Sequence, residues 1–149
     1  MKVEPFLIVS TVNVVIAQRL VRKLCGTKDK YFLNKAALAT LGKSVDLVKV
    51  LSVLKAEKVV SSDAVWEKIH LYKARSSPES KDGYSGRIGI HETFKVSSAI
   101  KELILRGSSS DVIETQARKE GMLTMLEDGI FKSVQGITTI EEVFRVVSE

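Results

Sequence analysis

The sequence predicts an α+β fold that is mostly helical. Two segments alternate in the manner of strands, a lysine-rich middle region repeats apolar residues at helical intervals, and the C-terminal region carries four apolar stretches bounded by caps and glycines. We therefore expect a short strand hairpin, a helical subdomain inserted between its strands, and a compact C-terminal four-helix bundle.

The strand hairpin is preceded by a helical pattern over residues 4–15. Pro5 suits the first turn of a helix because that turn needs no backbone N–H donor, and apolar residues follow at helical spacings. From Val14 to Leu24 the content of β-branched residues rises, which predicts a strand. Residues 87–94 alternate after a glycine-containing turn and are the expected partner strand.

Pairing of these strands makes residues 26–82 an insertion. Leucines and valines over residues 38–54 recur mostly every three or four positions and predict two helices that pack together. Trp66 should anchor their small core. Short extended or turn segments are expected up to Tyr72, and residues 75–82, which lack a large apolar side chain, should form a loop.

Residues 96–149 carry four helical patterns with their own boundary signals. Candidate N-caps are Ser97 or Ser98, Ser109 or Ser110, and Thr138 or Thr139, and candidate C-terminal glycines are Gly107, Gly121 and Gly136. A glutamate three residues after Thr138 or Thr139 completes a capping box. These signals agree with one another and predict the bundle.

Length and composition indicate the size of the fold and exclude several classes of protein. With 149 residues and 44% hydrophobic residues, the chain can bury the core of one domain or two small ones. The net charge is +5, but lysines and arginines are scattered among acids, so nucleic-acid binding is allowed without being indicated. A single cysteine excludes an internal disulfide, no leader pattern opens the chain, and the apolar runs are too short for a membrane span. We expect a cytosolic chain.

Residues 83–92, GYSGRIGIHE, form the most informative motif. Upstream stand residues 15–25, VIAQRLVRKLC, and downstream stand residues 120–129, EGMLTMLEDG, and 136–143, GITTIEEV. In this order the blocks resemble the C-terminal part of the ATPases of type II secretion and type IV pilus assembly, the GspE/PilB family. The resemblance is strong over residues 3–25 and 83–147 and weak over 26–82.

The resemblance implies a domain division and a cellular setting. Residues 1–25 and 83–95 would end a RecA-like motor core, 26–82 would replace the family's zinc module, and 96–149 would be the terminal helical bundle. The full-length family implies ATP and magnesium as cofactors, a homo-hexamer that acts on an inner-membrane platform protein, and a cytoplasmic place peripheral to the inner membrane. No nucleic-acid partner is implied.

The chain lacks the parts that hydrolyse ATP. In the family, the phosphate loop and the metal-binding acids lie upstream of the residues matched by 3–7, and Met1 fits either a true start or an internal residue of a longer protein. Gly42-Lys43-Ser44 imitates the end of a phosphate loop, but no glycine stands five residues before Gly42 and the flanking sequence is helical. We therefore assign no catalytic and no cofactor-binding residue, and expect no ATP hydrolysis by this chain alone.

The family's zinc site is also depleted. Relatives carry two Cys-x-x-Cys pairs, of which only Cys25 remains here. Lys28 stands at the second position of the first pair, and Ser76 with Glu79 or Ser80 stands at the second pair. One thiolate with a lysine and hydroxyls cannot supply four zinc ligands, so we assign no metal residue and expect the helical pair of the insertion to replace the metal as a brace.

Three arginines are the candidate functional residues. By the resemblance, Arg19, Arg22 and Arg87 lie near contacts between neighbouring subunits, where a guanidinium can hold carboxylates of another chain. An intramolecular salt bridge or a solvated face is the alternative for the same residues. His70 and His91 lack partners for catalysis and are interpreted as packing or surface residues.

Three functions follow from these observations. The first is the C-terminal structural and coupling part of a hexameric assembly ATPase, and the second is a stand-alone adaptor that docks on such a motor ring. The third, a small nucleic-acid-binding domain, rests on the net charge alone.

Overall fold

A computed structural model describes residues 4–148 of the chain. Within that range there are seven α-helices and four strands, which confirms the α+β class. The elements are α1 Pro5–Thr11, β1 Val14–Leu24, β2 Lys28–Phe32, α2 Lys35–Leu41, α3 Leu47–Ala56, β3 His70–Ala74, β4 Tyr84–Lys95, α4 Ser98–Leu105, α5 Ser110–Lys119, α6 Met125–Val134 and α7 Ile140–Val147. In the described residues no helix combines the length and the apolar character that a membrane span requires.

The strands form two separate two-stranded sheets. β1 pairs with β4, as the sequence predicts, and β1 has the expected bounds. β2 and β3 form the second, antiparallel sheet, in which Lys28 lies opposite Ala74 and Phe32 opposite His70. Strand β2 is not predicted from the sequence, because it is short and three of its residues, KDKYF, are charged.

The chain divides into two compact units. The first consists of Met1–Gln18 and His91–Thr124, and the second of Arg19–Ile90 and Met125–Glu149. The helices α4 and α5 therefore belong to the first unit, and α6 and α7 to the second. The RecA-like core and the four-helix bundle are not confirmed by this division.

The first unit has a core built by α4, α5 and the segments beside them. Val96, Ile100, Ala117 and Met122 are buried together, with Ile113 of α5 packed against them. Ser97 caps α4 by accepting a hydrogen bond from the N–H of Ile100 at 3.3 Å. The predicted helices α4 and α5 thus supply much of the core of this unit.

The second unit has two clusters of buried apolar residues. The larger cluster joins the insertion to α6, and its buried members are Leu41, Val45, Val50, Leu54, Ile69, Leu71, Ile130 and Val134. Trp66 packs against this cluster and its Nε1 donates to the carbonyl oxygen of Leu47 at 2.9 Å, which confirms its role as an anchor. The smaller cluster is Val21, Ile90, Val143 and Val146, and it packs α7 on β1 and β4.

Candidate functional site

The candidate site surrounds the carboxylate of Glu142, which lies in the first turn of α7 with only 1% of its side chain exposed. Arg22 of β1 donates to this carboxylate twice, from its backbone N–H at 3.0 Å and from Nη2 at 2.8 Å. Arg145, one turn along α7, donates from Nε at 3.1 Å and from Nη2 at 2.7 Å. The buried carboxylate of Glu142 is therefore held by two guanidinium groups.

These hydrogen bonds decide the ionisation of Glu142. Burial acts to raise the pKa of Glu142, but the hydrogen bonds from Arg145 and Arg22 outweigh it and lower this pKa to about 2. The carboxylate is therefore ionised at neutral pH. It acts as a fixed anion between β1 and α7.

The guanidinium of Arg22 reaches beyond Glu142. Its Nη1 donates to Oδ2 of Asp82 at 3.1 Å, and its Cζ lies 4.2 Å from the centroid of the Tyr84 ring. A hydrogen bond from Ser80, followed by the N–H of Tyr84 and the charge of Arg22, holds the pKa of Asp82 below its ordinary value. Arg22 thus links β1 to the loop before β4 as well as to α7.

Hydroxyl groups join the start of α7 to the strands. Thr139 caps α7 by accepting from the N–H of Glu142 at 3.2 Å, and its Oγ1 lies 2.9 Å from the hydroxyl of Tyr84. Thr138 donates to the carbonyl oxygen of Arg22 at 2.8 Å. Thr139 makes its half of the predicted capping box, whereas the Glu142 carboxylate accepts from the arginines.

The three candidate arginines have different surroundings. Nη1 of Arg19 donates to the carbonyl oxygen of Val146, where a cation satisfies one of the last carbonyls of α7. Arg22 makes the network above and keeps 40% of its side chain exposed. Arg87 is exposed on β4. The structure therefore brings Arg19 and Arg22 to opposite ends of one helix, and leaves Arg87 at the surface.

Lys28, at a cysteine position of the resembled zinc module, has partners of its own. Its Nζ donates to the carbonyl oxygen of Gly136 at 2.6 Å and lies 4.7 Å from the centroid of the Tyr72 ring. A β-carbon on Gly136 would lie 2.7 Å from Cε2 of Tyr72, and Gly136 has a φ of +71°. The β2–β3 sheet is therefore fastened to the turn after α6 by a lysine. Nothing in the sequence pattern pointed to Gly136 as the partner.

In the described residues, no three or more His, Cys, Asp or Glu side chains gather where they could hold a metal ion. Cys25 is buried, and its N–H donates to the carbonyl oxygen of Gly83 at 3.0 Å. Ser77 and Ser80 pair through their backbones in the loop before β4. The sequence predicts this loop, but not the backbone pairing between Ser77 and Ser80.

Gly42-Lys43-Ser44 lies at the C-terminal end of α2. Gly42 donates its N–H to the carbonyl oxygen of Leu38, Lys43 to that of Thr40 and Ser44 to that of Leu41, at 2.9, 3.2 and 3.1 Å. A phosphate loop needs free backbone amides at the start of a helix. All three amides here already donate to the preceding helix, so this segment does not have the geometry of a phosphate loop.

The histidines also have neighbours that agree with a packing or surface role. Nε2 of His70 lies 2.9 Å from the hydroxyl of Tyr72, and Nε2 of His91 lies 3.1 Å from Oε1 of Gln18. His70 thus bonds within β3, and His91 bonds across the β1–β4 pair.

Comparison with known proteins identifies the family. The family model described as "Type II/IV secretion system protein" matches residues 1–145. The type IV pilus assembly ATPase PilB of Pseudomonas aeruginosa is 33% identical over 150 residues, which cover 100% of this chain and 23% of that protein. The type II secretion system protein E of Xanthomonas campestris pv. campestris is 35% identical over 150 residues, which cover 100% of this chain and 24% of the relative.

PilB of Thermus thermophilus is 36% identical over 145 residues, which cover 96% of this chain and 14% of that protein. The chain thus spans a quarter or less of the length of these curated relatives. Because the family model covers nearly the whole chain, the chain belongs to the type II/IV secretion system protein family.

Proposed function

We propose that this chain is the C-terminal structural and coupling part of a hexameric ATPase that drives type IV pilus assembly or type II secretion. The observation that carries the proposal is the family match over residues 1–145 in a chain that spans only 23% and 24% of two relatives. In this proposal ATP and magnesium bind elsewhere in the full-length motor. The partners are other motor subunits and an inner-membrane platform protein, at the cytoplasmic side of that membrane.

An exposed apolar surface on the first unit supports a larger assembly. Phe6 on α1 is 69% exposed and Ile16 on β1 is 63% exposed, and Leu7 and Val14 are exposed beside them in sequence. Exposed apolar side chains that lie together commonly mark an interface. We assign this surface to contact with the rest of a RecA-like core, of which residues 1–25 and 83–95 would be the end, with 26–82 as an insertion and 96–149 as the terminal helical part.

The Glu142 site supports the coupling role. Arg22 and Arg19 hold α7 to β1 at both ends of the helix, so a displacement of β1 would carry α7 with it. Arg87 is exposed on β4, and Arg22 is partly exposed. We keep Arg19, Arg22 and Arg87 as candidates for contacts with a neighbouring subunit, where their remaining donors would meet carboxylates.

An immunoblot of the source cells tests the proposal, with an antibody raised against residues 83–149. A motor subunit gives a band several times heavier than 16.5 kDa, and the reading frame upstream of Met1 encodes a Gly-rich phosphate loop. A band at 16.5 kDa that co-purifies with a separate ATPase ring would instead establish the adaptor function. A 16.5 kDa band without such a ring would contradict both functions.

A further inference from the structure

The second unit contains a cleft of about 580 Å³ that the coupling role does not use. It lies between the segment after α3, strand β3 and the end of α6, and Val59, Ile69 and Val134 provide part of its apolar lining. Small-molecule sites usually have volumes of about 300–1,000 Å³ and combine an apolar lining with a few polar groups. The volume and the lining of this cleft meet that description.

One wall of the cleft is aromatic and held in place. His70 and Tyr72 both line the cleft, their ring centroids are 5.2 Å apart, and Nε2 of His70 lies 2.9 Å from the Tyr72 hydroxyl. Tyr72 is fixed further by Lys28 and by close packing against Gly136. The planes of the two rings are 77° apart, so a flat aromatic ligand would stack on one ring and meet the edge of the other. Both side chains already have restricted conformations.

Three polar side chains in the lining differ in chemistry. Lys68 supplies a cation, Gln135 supplies an amide donor and acceptor, and Asp63 supplies a carboxylate. A hydrogen bond from Ser61 holds the pKa of Asp63 below its ordinary value, so this carboxylate is ionised at neutral pH. The cleft therefore offers partners for an anion, for the edge of a heterocycle and for hydroxyl donors.

We propose that this cleft binds a nucleoside monophosphate. Such a molecule carries a group for each part of the lining. Its base would lie against the aromatic wall and Val134, and Gln135 would pair with the edge of the base. Asp63 would accept from the ribose hydroxyls, and Lys68 would pair with the phosphate. The site is separate from Gly42-Lys43-Ser44. It is also independent of the proposed motor function, because none of its lining residues belongs to the network around Glu142.

Titration calorimetry on the 149-residue chain, without magnesium, tests the site with AMP, adenosine and inorganic phosphate as separate probes. We expect saturable binding of AMP at one site, about tenfold weaker binding of adenosine, and no saturable binding of phosphate, because both the ring and the anion contribute. Lys68→Ala should weaken AMP about tenfold and leave adenosine unchanged. His70→Ala should weaken both nucleoside ligands.

Lys43→Ala is the matched control, because it removes the lysine of the phosphate-loop imitation and should leave AMP binding unchanged. Lys68 is exposed, so its substitution should leave the fold intact, as circular dichroism will verify. Three results would overturn the proposal: no saturable AMP binding in the millimolar range, AMP binding equal to that of inorganic phosphate, or a loss of AMP binding in Lys43→Ala and not in Lys68→Ala.

Discussion

Glu142 accepts hydrogen bonds from the backbone N–H and the guanidinium of Arg22, at 3.0 and 2.8 Å, although the two residues are 120 positions apart. The carboxylate is nearly inaccessible, whereas the guanidinium is partly exposed. The position of α7 on β1 therefore depends on an ion pair in which the carboxylate is buried and the guanidinium is partly exposed. Removing the buried charge of Glu142 should lower the free energy of unfolding more than removing an exposed charge would.

Glu142→Gln should lower the free energy of unfolding of the second unit by about 2–4 kcal/mol, because an amide cannot accept the four charge-assisted hydrogen bonds as strongly. Urea unfolding followed by the fluorescence of Trp66, the single tryptophan, measures this change. Glu141→Gln is the matched control, since Glu141 is exposed on the same turn, and should change stability by less than about 0.5 kcal/mol. Equal effects of the two variants would contradict the assignment.

The contribution of Glu142 should depend on pH with a definite sign. Its pKa is about 2 in the folded chain against an ordinary value of 4.5, so the folded state favours the ionised form. The stabilisation is fully present above about pH 4.5 and is lost as the pH falls towards about 2. Urea midpoints of wild type and Glu142→Gln should therefore differ most at neutral pH and converge in acid. A constant difference between the two proteins would show that ionisation of Glu142 is not the cause.

Gly129 lies where α6 meets α7. A β-carbon at this position would lie 2.3 Å from Cγ1 of Val143, a buried side chain of α7. Gly129→Ala should therefore destabilise the second unit by about 1–3 kcal/mol, despite the higher helix propensity of alanine. The double variant Gly129→Ala/Val143→Ala removes the clash and should be less destabilised than the sum of the single variants. Additive effects in urea unfolding would contradict this contact.

The sequence predicts the elements that depend on strand propensity and on helix caps, because both act between residues close in the chain. The sequence predicts strand β1 with its observed bounds, because three successive β-branched residues, Val14 to Ile16, open the segment. The caps Ser97 and Thr139 were predicted because a hydroxyl before an apolar helical pattern satisfies a free N–H. Helix α1 ends at Thr11, earlier than the predicted residue 15, because β1 already begins at Val14. The helical spacing of apolar residues continues past Thr11, so it does not mark the end of the helix.

Long-range partners were not predictable from one sequence. Thr139 and Glu142 read as a capping box, and nothing local shows that the carboxylate instead meets Arg22 across the fold. The four C-terminal helices look alike in sequence, yet they belong to different units, because the apolar partners of α6 and α7 lie in the insertion and on β1. For the same reason Lys28 could be recognised as a missing cysteine but not as a partner of Gly136.

Lys28→Met should lower the stability of the second unit by about 1–2 kcal/mol, because it removes a hydrogen bond to Gly136 and the cation above the Tyr72 ring while keeping an unbranched side chain. Lys30→Met is the matched control on the same strand, where the side chain is exposed. Urea unfolding of both variants measures the difference. If Lys30→Met costs as much as Lys28→Met, the lysine does not fasten the β2–β3 sheet to the turn after α6.

The isolated chain should release no phosphate from ATP in the presence of magnesium. Phosphoryl transfer is accelerated by positioning and charge neutralisation, which require free amides around the phosphates, a bound metal ion and an acid that orients the water. The amides of Gly42, Lys43 and Ser44 already donate to carbonyls of α2 and cannot surround a phosphate without unwinding the end of that helix. Phosphate release is measured at millimolar ATP for the wild type and for Lys43→Ala, and both should equal the protein-free rate. Turnover that disappears in Lys43→Ala would show that this segment does bind nucleotide, whereas turnover that persists through purification to constant specific activity would place a catalytic site elsewhere in the chain.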